Sequence, residues 1–390
     1  MANVLSKIIC KWLLGRAYEE HPEKVDVVVL SGTNHYEERN KQVIEEYEKQ
    51  NKKVLYLTSD FHHANKSQYV FDVEGCKQVH VMPYDKNISI SRLLSHGQFS
   101  FKAYFYLKQH RPDIVYTEIP NNSLAMATVW YKRKYNCELI FDIFDMWPEA
   151  LPVKTGNPVI KFALSIWGAF RNRNLKYADK IYTECDYYQE ILAKEGYTMP
   201  METKYLSQED ADLEIKTVWR DDQIHICYVG SINNIIDVPL MVDFLDKLNQ
   251  KRKVYFHLIG QGESKERIKQ ELERKQVKVI DYGSIYDKHE LQGIFNQCSF
   301  AINFLVPDVA IGITMKSVTY FRGGMPILNT VDGDTRRIVE EEKIGINVNE
   351  NRLSETVEVI LNLKQEDLSK MKSNTRKVFW RYFSKSCNLE

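Results

Sequence analysis

Residues 315–327 read MKSVTYFRGGMPI, with Lys316 four places before Tyr320 and the pair Gly323-Gly324 just ahead of Met325-Pro326 and an apolar run. Read as a helix, this segment carries a cation in its first turn, where the helix dipole favours acidic residues, so an anion in front of the helix would make the position favourable. A diphosphate is the natural candidate; a solvated surface lysine is the plain alternative. Gly323 and Gly324 read as left-handed capping positions that end the helix before the next strand. Two further stretches have the form strand, glycine turn, helix: G-S-I-N-N at 230–234, with Gly230, Ser231 and Asn233, and G-Q-G-E-S at 260–264, with Gly260 and Gly262. Such a turn lets backbone amides approach a phosphate. Many α/β turns need glycine for the bend alone, so both readings stay open. Gly32, Gly283 and Gly312 are loop glycines at similar strand ends, and Thr319 and Tyr320 continue the lysine-bearing helix.

Acid–base chemistry has fewer candidates. In FDIFDMWPEALP (141–152) Asp145 and Glu149 follow a strand, while Asp142 lies two residues inside it. A carboxylate there can orient a hydroxyl or accept its proton; Asp145 can equally cap a turn before Trp147-Pro148. D-G-D at 332–334 resembles a metal-binding Asp-x-Asp, yet turn and N-cap chemistry account for it between PILN and TRRIVEE. No His/Cys/carboxylate cluster at metal spacing occurs elsewhere, so no metal and no tightly bound cofactor are expected. His62 and His63 read as loop residues, and His35 as a loop residue facing the site.

These residues need positioning, and the chain supplies alternating elements. Short β-rich runs, DVVVL (26–30), KVLYLT (53–58), QVHVM (78–82), DIVYT (113–117), ELIFDI (138–143) and KIYTE (180–184), alternate with helical stretches. After a polar stretch the pattern restarts with IHICYVG (224–230), VYFHLIG (254–260), VKVIDYG (277–283), SFAINF (299–304) and PILN (326–329). The expectation is α/β: two Rossmann-like, doubly wound domains facing a cleft. Their bounds are 1–197, a linker 198–222, 223–365, and a last helix over 366–390 that crosses back to the first domain. Lys plus Arg equal Asp plus Glu at 53 each, which leaves no global field for nucleic acid. Seven scattered cysteines, none in a C-x-x-C pair, fit reduced thiols in the cytoplasm.

In order and spacing these pieces resemble the GT-B glycosyltransferases, family 4 above all. K-S-V-T-Y-F-R-G-G-M-P-I (316–327) is similar to the family's donor-binding helix, with Lys, Glu-Tyr three residues later, then Gly-x-Pro. YADKIYTECDYYQEIL (177–192) resembles its Ala-Asp-x-hydrophobic-x-Thr/Ser segment, and FDIFDMWPEALP the Asp-x-Trp-Pro-Glu stretch of members that build bacterial surface polysaccharides. The resemblance implies a retaining transfer of a sugar from a UDP- or GDP-sugar to a saccharide acceptor, with Lys316 stabilising the leaving diphosphate and Asp145 and Glu149 on the acceptor side. It implies donor contacts at Gly32, Gly230, Ser231, Asn233, Gly260, Gly262, Gly283, Gly312, Thr319 and Tyr320. Three positions depart from the family pattern: Thr319 stands where an acidic residue often holds the ribose, Asn233-Asn234 replace a basic residue, and S-G-T-N-H-Y (31–36) lacks a Gly-Gly. A nucleotide-sugar epimerase of the same shape and a catalytically silent assembly partner are the alternatives.

An acceptor in such pathways is usually lipid-linked, which directs attention to possible membrane contacts. VLSKIICKWLLGR, with Trp12 among apolar residues at helical spacing, is a short amphipathic helix for core packing or for a membrane interface. Aromatic and basic residues interleave at 99–106 and 131–135, a composition that suits a headgroup layer. No stretch reaches the ~18 apolar residues of a spanning helix. The expected location is the cytoplasm, with peripheral contact at the inner membrane surface.

Overall fold

A computed structural model describes residues 11–32, 37–63, 65–70, 75–86, 89–151, 158–307 and 309–385. The chain divides into two compact units: Met1–Pro148 with Thr155–Glu184 and Gln189–Lys204, and Glu149–Lys154 with Cys185–Tyr188 and Tyr205–Glu390.

The first sheet grows from apolar runs that bury both faces. In chain order its region contains β1 (Val27–Ser31), α1 (Glu37–Glu48), β2 (Val54–Ser59), a two-residue antiparallel pair β3 (Phe61–His62) and β4 (Ser67–Gln68), β5 (Cys76–Val79), α2 (Ile90–His110), β6 (Ile114–Ile119), α3 (Asn122–Tyr135), β7 (Glu138–Ile143), α4 (Pro158–Leu175), β8 (Lys180–Thr183), α5 (Asp186–Lys194) and β9 (Met201–Thr203). Seven strands pair in the order β5-β2-β1-β6-β7-β8-β9, all parallel. Every residue of β1 and β6 is buried, as a parallel sheet covered by helices requires. One face packs Val27, Val29, Tyr56 and Tyr116 against Val43, Ile44 and Tyr47 of α1.

The second unit repeats the plan: β10 (Gln223–Val229), α6 (Val238–Asn249), β11 (Lys253–Ile259), α7 (Lys265–Arg274), β12 (Lys278–Gly283), α8 (Lys288–Phe295), β13 (Phe300–Asn303), α9 (Met315–Arg322), β14 (Ile327–Asn329), α10 (Asp334–Glu342), β15 (Gly345–Asn347), α11 (Leu353–Asn362) and α12 (Gln365–Val378), which ends in a π-helical turn, Phe379–Phe383. Its parallel strands run β12-β11-β10-β13-β14-β15. Alternate residues Ile224, Ile226 and Tyr228 of β10 enter one core with Phe244 and Leu248 of α6 and Phe256 of β11.

The α/β class with two Rossmann-like units is therefore borne out, and ELIFDI matches β7 residue for residue. The strand expected at QVHVM starts two residues earlier: β5 is Cys76–Val79, pairing with β2, and Val81 lies in the following loop. The polar stretch at 198–222 contains β9, a three-residue edge strand too short to show alternation, and β15 escaped notice for the same reason. Of the amphipathic start, residues 1–10 lie outside the described residues; 11–14 are helical, Trp12 is exposed and Leu14 buried. No helix among the described residues is long and apolar enough to cross a membrane.

Candidate functional site

In the second unit the strand order reverses between β10 and β13, so the chain leaves these neighbours in opposite directions and opens a crevice at their carboxyl ends. Helix α9 begins there. Thr314 is its N-cap, its Oγ1 accepting from the Ser317 amide at 3.1 Å, and no acidic residue occupies the first turn. Tyr320 fixes the helix to both flanking strands: its hydroxyl accepts from the Val229 amide (2.9 Å) and donates to the Ile302 carbonyl (3.2 Å). Fully buried and doubly bonded, Tyr320 supports the crevice from behind.

Lys316, one turn before it, is half-buried beside the glycine turn after β10. Its Nζ donates to the Tyr228 hydroxyl at 3.3 Å and lies 5.0 Å from that ring's centroid. Burial pushes its ammonium down to about 8. An anion arriving here would restore the charge that burial disfavours. Thr319 is occupied locally, donating to the Met315 carbonyl and accepting from Gln208 Nε2, both at 3.0 Å.

The glycine turns clasp one another. A Cβ on Gly260 would sit 2.0 Å from the Gly230 carbonyl oxygen, and one on Gly262 2.2 Å from that of Ile232; both glycines have positive φ. Hydrogen bonds close the clasp, from the Ile232 amide to Gln261 O (2.9 Å) and from the Gly260 amide to Gly283 O (2.7 Å). Ser231 and Asn233 remain exposed on its outer edge. The pair that ends α9 divides its labour, which corrects the sequence reading of two left-handed caps. Only Gly324 has positive φ, whereas a Cβ on Gly323, whose φ is −80°, would meet the Phe295 ring at 2.4 Å.

Gly312 and the D-G-D turn form a second knot in this unit. A Cβ on Gly312 would meet Cys185 Sγ at 2.7 Å and Asp334 Oδ2 at 2.9 Å. The buried Asp334 carboxylate accepts from the amides of Asp186 (3.0 Å) and Tyr187 (2.8 Å), from the Tyr205 hydroxyl (2.6 Å) and from Arg337 (3.1 Å). Its lone pairs are spent on structure. Among the described residues no group of three His, Cys, Asp or Glu could hold a metal.

Sequence reasoning missed an asparagine ladder. Asn303, Asn329 and Asn347 end β13, β14 and β15 in strict register. Asn303 Nδ2 donates to Asn329 Oδ1 (3.0 Å) and to Ser317 Oγ in the first turn of α9 (3.0 Å), while Asn329 Nδ2 donates to Asn347 Oδ1 (2.9 Å). The ladder thus ties the lysine-bearing turn to three strands. Its signal was present as three strand endings of the form Ile/Leu/Ile-Asn: AIN, ILN and GIN. A cavity of about 410 Å³ opens beside it, lined by Val306, Val309, Thr330 and Asn349.

In the first unit Asp145 follows β7, half-buried, and its charge acts on Arg92 of α2, which stacks over Trp147 at 4.6 Å. Glu149 belongs to the second unit, its carbonyl accepting from the Ala310 amide at 3.0 Å. Asp142 is no candidate for chemistry: fully buried, it pairs with Arg39 at 2.8 and 2.6 Å and accepts from the Tyr116 hydroxyl. Gly32, at the end of β1, faces Asn121, whose Nδ2 would touch an added Cβ at 2.7 Å. His35 lies outside the described residues; His63 Nδ1 meets the Tyr84 hydroxyl at 2.6 Å.

Comparison with known proteins bears on the fold and, over part of the chain, on the family. Residues 223–366 match the family model described as Glycosyl transferases group 1. No curated protein sequence matches the chain. Among solved structures, sucrose-phosphate synthase from Thermosynechococcus elongatus aligns with a TM-score of 0.71 and 13% identity over 94% of this chain and 97% of its own. The lipopolysaccharide outer core galactosyltransferase WaaB, in its apo form, gives 0.67 and 13% over 93% and 97%. Anabaena HepE, in complex with UDP and glucose, gives 0.61 and 13% over 94% and 97%. These likenesses show a shared GT-B fold, and the group 1 match falls on the unit that holds Lys316.

Proposed function

We propose that the protein is a glycosyltransferase that moves a sugar from a UDP- or GDP-sugar to a saccharide acceptor, lipid-linked and destined for a bacterial surface polysaccharide such as a capsule or exopolysaccharide. The observation that carries the reading is Lys316: a half-buried ammonium, pushed down by burial, in the acid-free first turn of a helix at a strand-order switch point. That position fits a diphosphate, and the galactosyltransferase WaaB and HepE in complex with UDP and glucose share the fold.

In the retaining, front-face form of the reaction, the bond from the sugar's anomeric carbon to the diphosphate oxygen breaks with its electron pair on the diphosphate. The acceptor oxygen bonds to that carbon on the same face, and its proton passes to the departing phosphate oxygen. Lys316 stabilises the charge that develops there. Asp145 and Glu149 keep the acceptor-side role of orienting a hydroxyl. Gly230, Gly260 and Gly262 hold the turn that brings amides to the phosphates, with Ser231 and Asn233 on its exposed edge.

A catalytically silent assembly partner is the second reading, favoured by Thr319, whose hydroxyl is already engaged by Gln208 and the Met315 carbonyl where a carboxylate would hold ribose. Incubation with UDP- and GDP-sugars and lipid-linked saccharides separates the two. Release of nucleoside diphosphate with a lengthened glycan supports the transferase. Nucleotide binding without turnover on any acceptor supports the silent partner, and absence of nucleotide binding overturns both.

A further inference from the structure

Helix α4 is built inside out. Its inward side buries Gly168, Arg171, Asn174 and Leu175, while Val159, Phe162, Ile166 and Phe170, at spacings of three and four, form an outward stripe. Val159 is 71% exposed, Phe162 67% and Ile166 55%. Neighbouring helices also expose large apolar residues. Ser100 Oγ of α2 lies 2.8 Å from Ser123 Oγ of α3, and Asn122 Nδ2 of α3 donates to the Trp167 carbonyl of α4 at 3.3 Å, so the three helices form one layer. On it Ile90 of α2 is 77% exposed and Trp130 of α3 56%. A monomer rarely leaves a stripe of large apolar side chains such as that of α4 in water.

Charge identifies the occupant. None of these three helices carries an aspartate or glutamate, and although Arg92 and Arg171 are buried, Arg133 and Lys134 of α3 and Lys161 and Arg173 of α4 are exposed. The whole chain balances 53 basic against 53 acidic residues, so this layer is one-sided by placement rather than by composition. Helix α1 leans the other way, with five glutamates against Arg39 and Lys41 among twelve residues. Right-handed crossovers place α1 and α3 on opposite faces of the sheet, because β1 leads to β2 in one direction and β6 to β7 in the other. The first unit is thus uneven, glutamate-rich in α1 on one face and without acidic residues in α2, α3 and α4, whose exposed charges are basic, on the other.

We propose that the α2–α3–α4 layer is a docking surface for an anionic lipid bilayer, with the α4 stripe inserted at headgroup depth. An apolar stripe flanked by exposed Lys161 and Arg173 has the make-up of an interfacial helix, and Trp130 is of the type that settles at that boundary. Lys132 is partly offset by its ion pair with Asp179, which leaves Arg133 and Lys134 as the exposed cations of α3. This deepens the reading of a lipid-linked acceptor by naming the surface that meets the membrane, and its physical basis is independent of turnover.

The test is co-sedimentation of the full chain with phosphatidylglycerol–phosphatidylcholine vesicles, against phosphatidylcholine alone, across a salt series. Wild type is expected to bind the anionic vesicles, more weakly as salt rises. The exposed double substitution Phe162→Ser with Ile166→Ser is expected to lower the partition coefficient at least about tenfold with an unchanged melting temperature. Lys161→Gln with Arg173→Gln should lower it about tenfold and flatten the salt dependence. Val359→Ser, at an exposed apolar position of the second unit, should change nothing. Equal binding by wild type and the α4 double variant overturns the proposal, as does no binding at low salt. A dimer in sedimentation velocity that the Phe162/Ile166 variant dissociates also overturns it, by showing that a second copy covers the face. Transfer to a water-soluble acceptor, measured on the same variants, separates a failed docking surface from a failed transferase.

Discussion

Replacing Lys316 is expected to trade turnover for stability. Its ammonium stands at about 8 in the folded chain against an ordinary value of 10.5. Between these values the unfolded chain keeps the proton that the native one has lost, so native stability rises with pH across that window; below about 8 both states are charged and the fold carries the whole cost. At about 1.4 kcal/mol per pH unit the ceiling is about 3.5 kcal/mol. Lys316 keeps some contact with solvent, which reduces the figure to about 1–2 kcal/mol. Lys316→Met at pH 7 should therefore raise the free energy of urea unfolding by that amount. The local scaffold stays, since Tyr228 still donates to the Ser231 carbonyl and Tyr320 still pins α9.

Turnover should move the other way. Loss of one preorganised charge at a developing oxyanion costs about 100-fold or more, so Lys316→Ala and Lys316→Met should both fall by that factor in an assay of released nucleoside diphosphate. Because a bound diphosphate restores the charge, UDP or GDP binding should take up a proton above pH 8 and weaken as pH rises through that value. Calorimetry in buffers of different ionisation enthalpy measures the uptake, and Lys316→Met should abolish it. Normal turnover in either variant, or nucleotide binding with no proton linkage at pH 8–9, would refute the placement of the diphosphate.

Three further outcomes follow from the same geometry. Activity should persist in EDTA, because Asp334 is committed to Asp186, Tyr187, Tyr205 and Arg337; complete loss restored by Mg²⁺ or Mn²⁺ would return D-G-D to the metal reading. Gly260→Ala should cost about 3 kcal/mol or more in denaturant unfolding, since its methyl group would lie 2.0 Å from the Gly230 carbonyl; unchanged stability would contradict the clasp. Asn303→Ala should lower kcat about tenfold or more at little change in acceptor KM, by freeing Ser317 and the first turn of α9, and a variant with wild-type kcat would show that the ladder serves the sheet alone.

Strands with several consecutive buried residues were legible because parallel packing imposes a largely apolar run, as in Val27–Ser31 and, broken at Glu138 and Asp142, in Glu138–Ile143. What escaped were the three-residue strands β9 and β15, where pairing is decided by a neighbour rather than by a pattern. Side chains followed the same division. The position of Lys316 in a first turn could be read locally, whereas Asp142 shows its role only with Arg39, 103 residues away, in place. Tyr320 could be assigned to the right helix but not to its buried side, because that depends on where Val229 and Ile302 end. The inverted stripe of α4 went unread in the sequence, and apolar spacing alone does not tell inward from outward.

The glycines illustrate how far such reading extends. A turn that must pass within van der Waals contact of another backbone needs glycine, and so does a turn whose amides must approach a phosphate. Gly260 and Gly262 satisfy the first demand outright, with added Cβ atoms falling 2.0 and 2.2 Å from carbonyl oxygens. Their presence therefore says nothing for or against a ligand, since either requirement would select the same residue. Lys316 is different in kind. A half-buried cation in an acid-free first turn is unfavourable to the fold by burial and by dipole alike. A residue that the scaffold would be more stable without is the one whose presence calls for a ligand, and it is on that residue that the transferase reading stands.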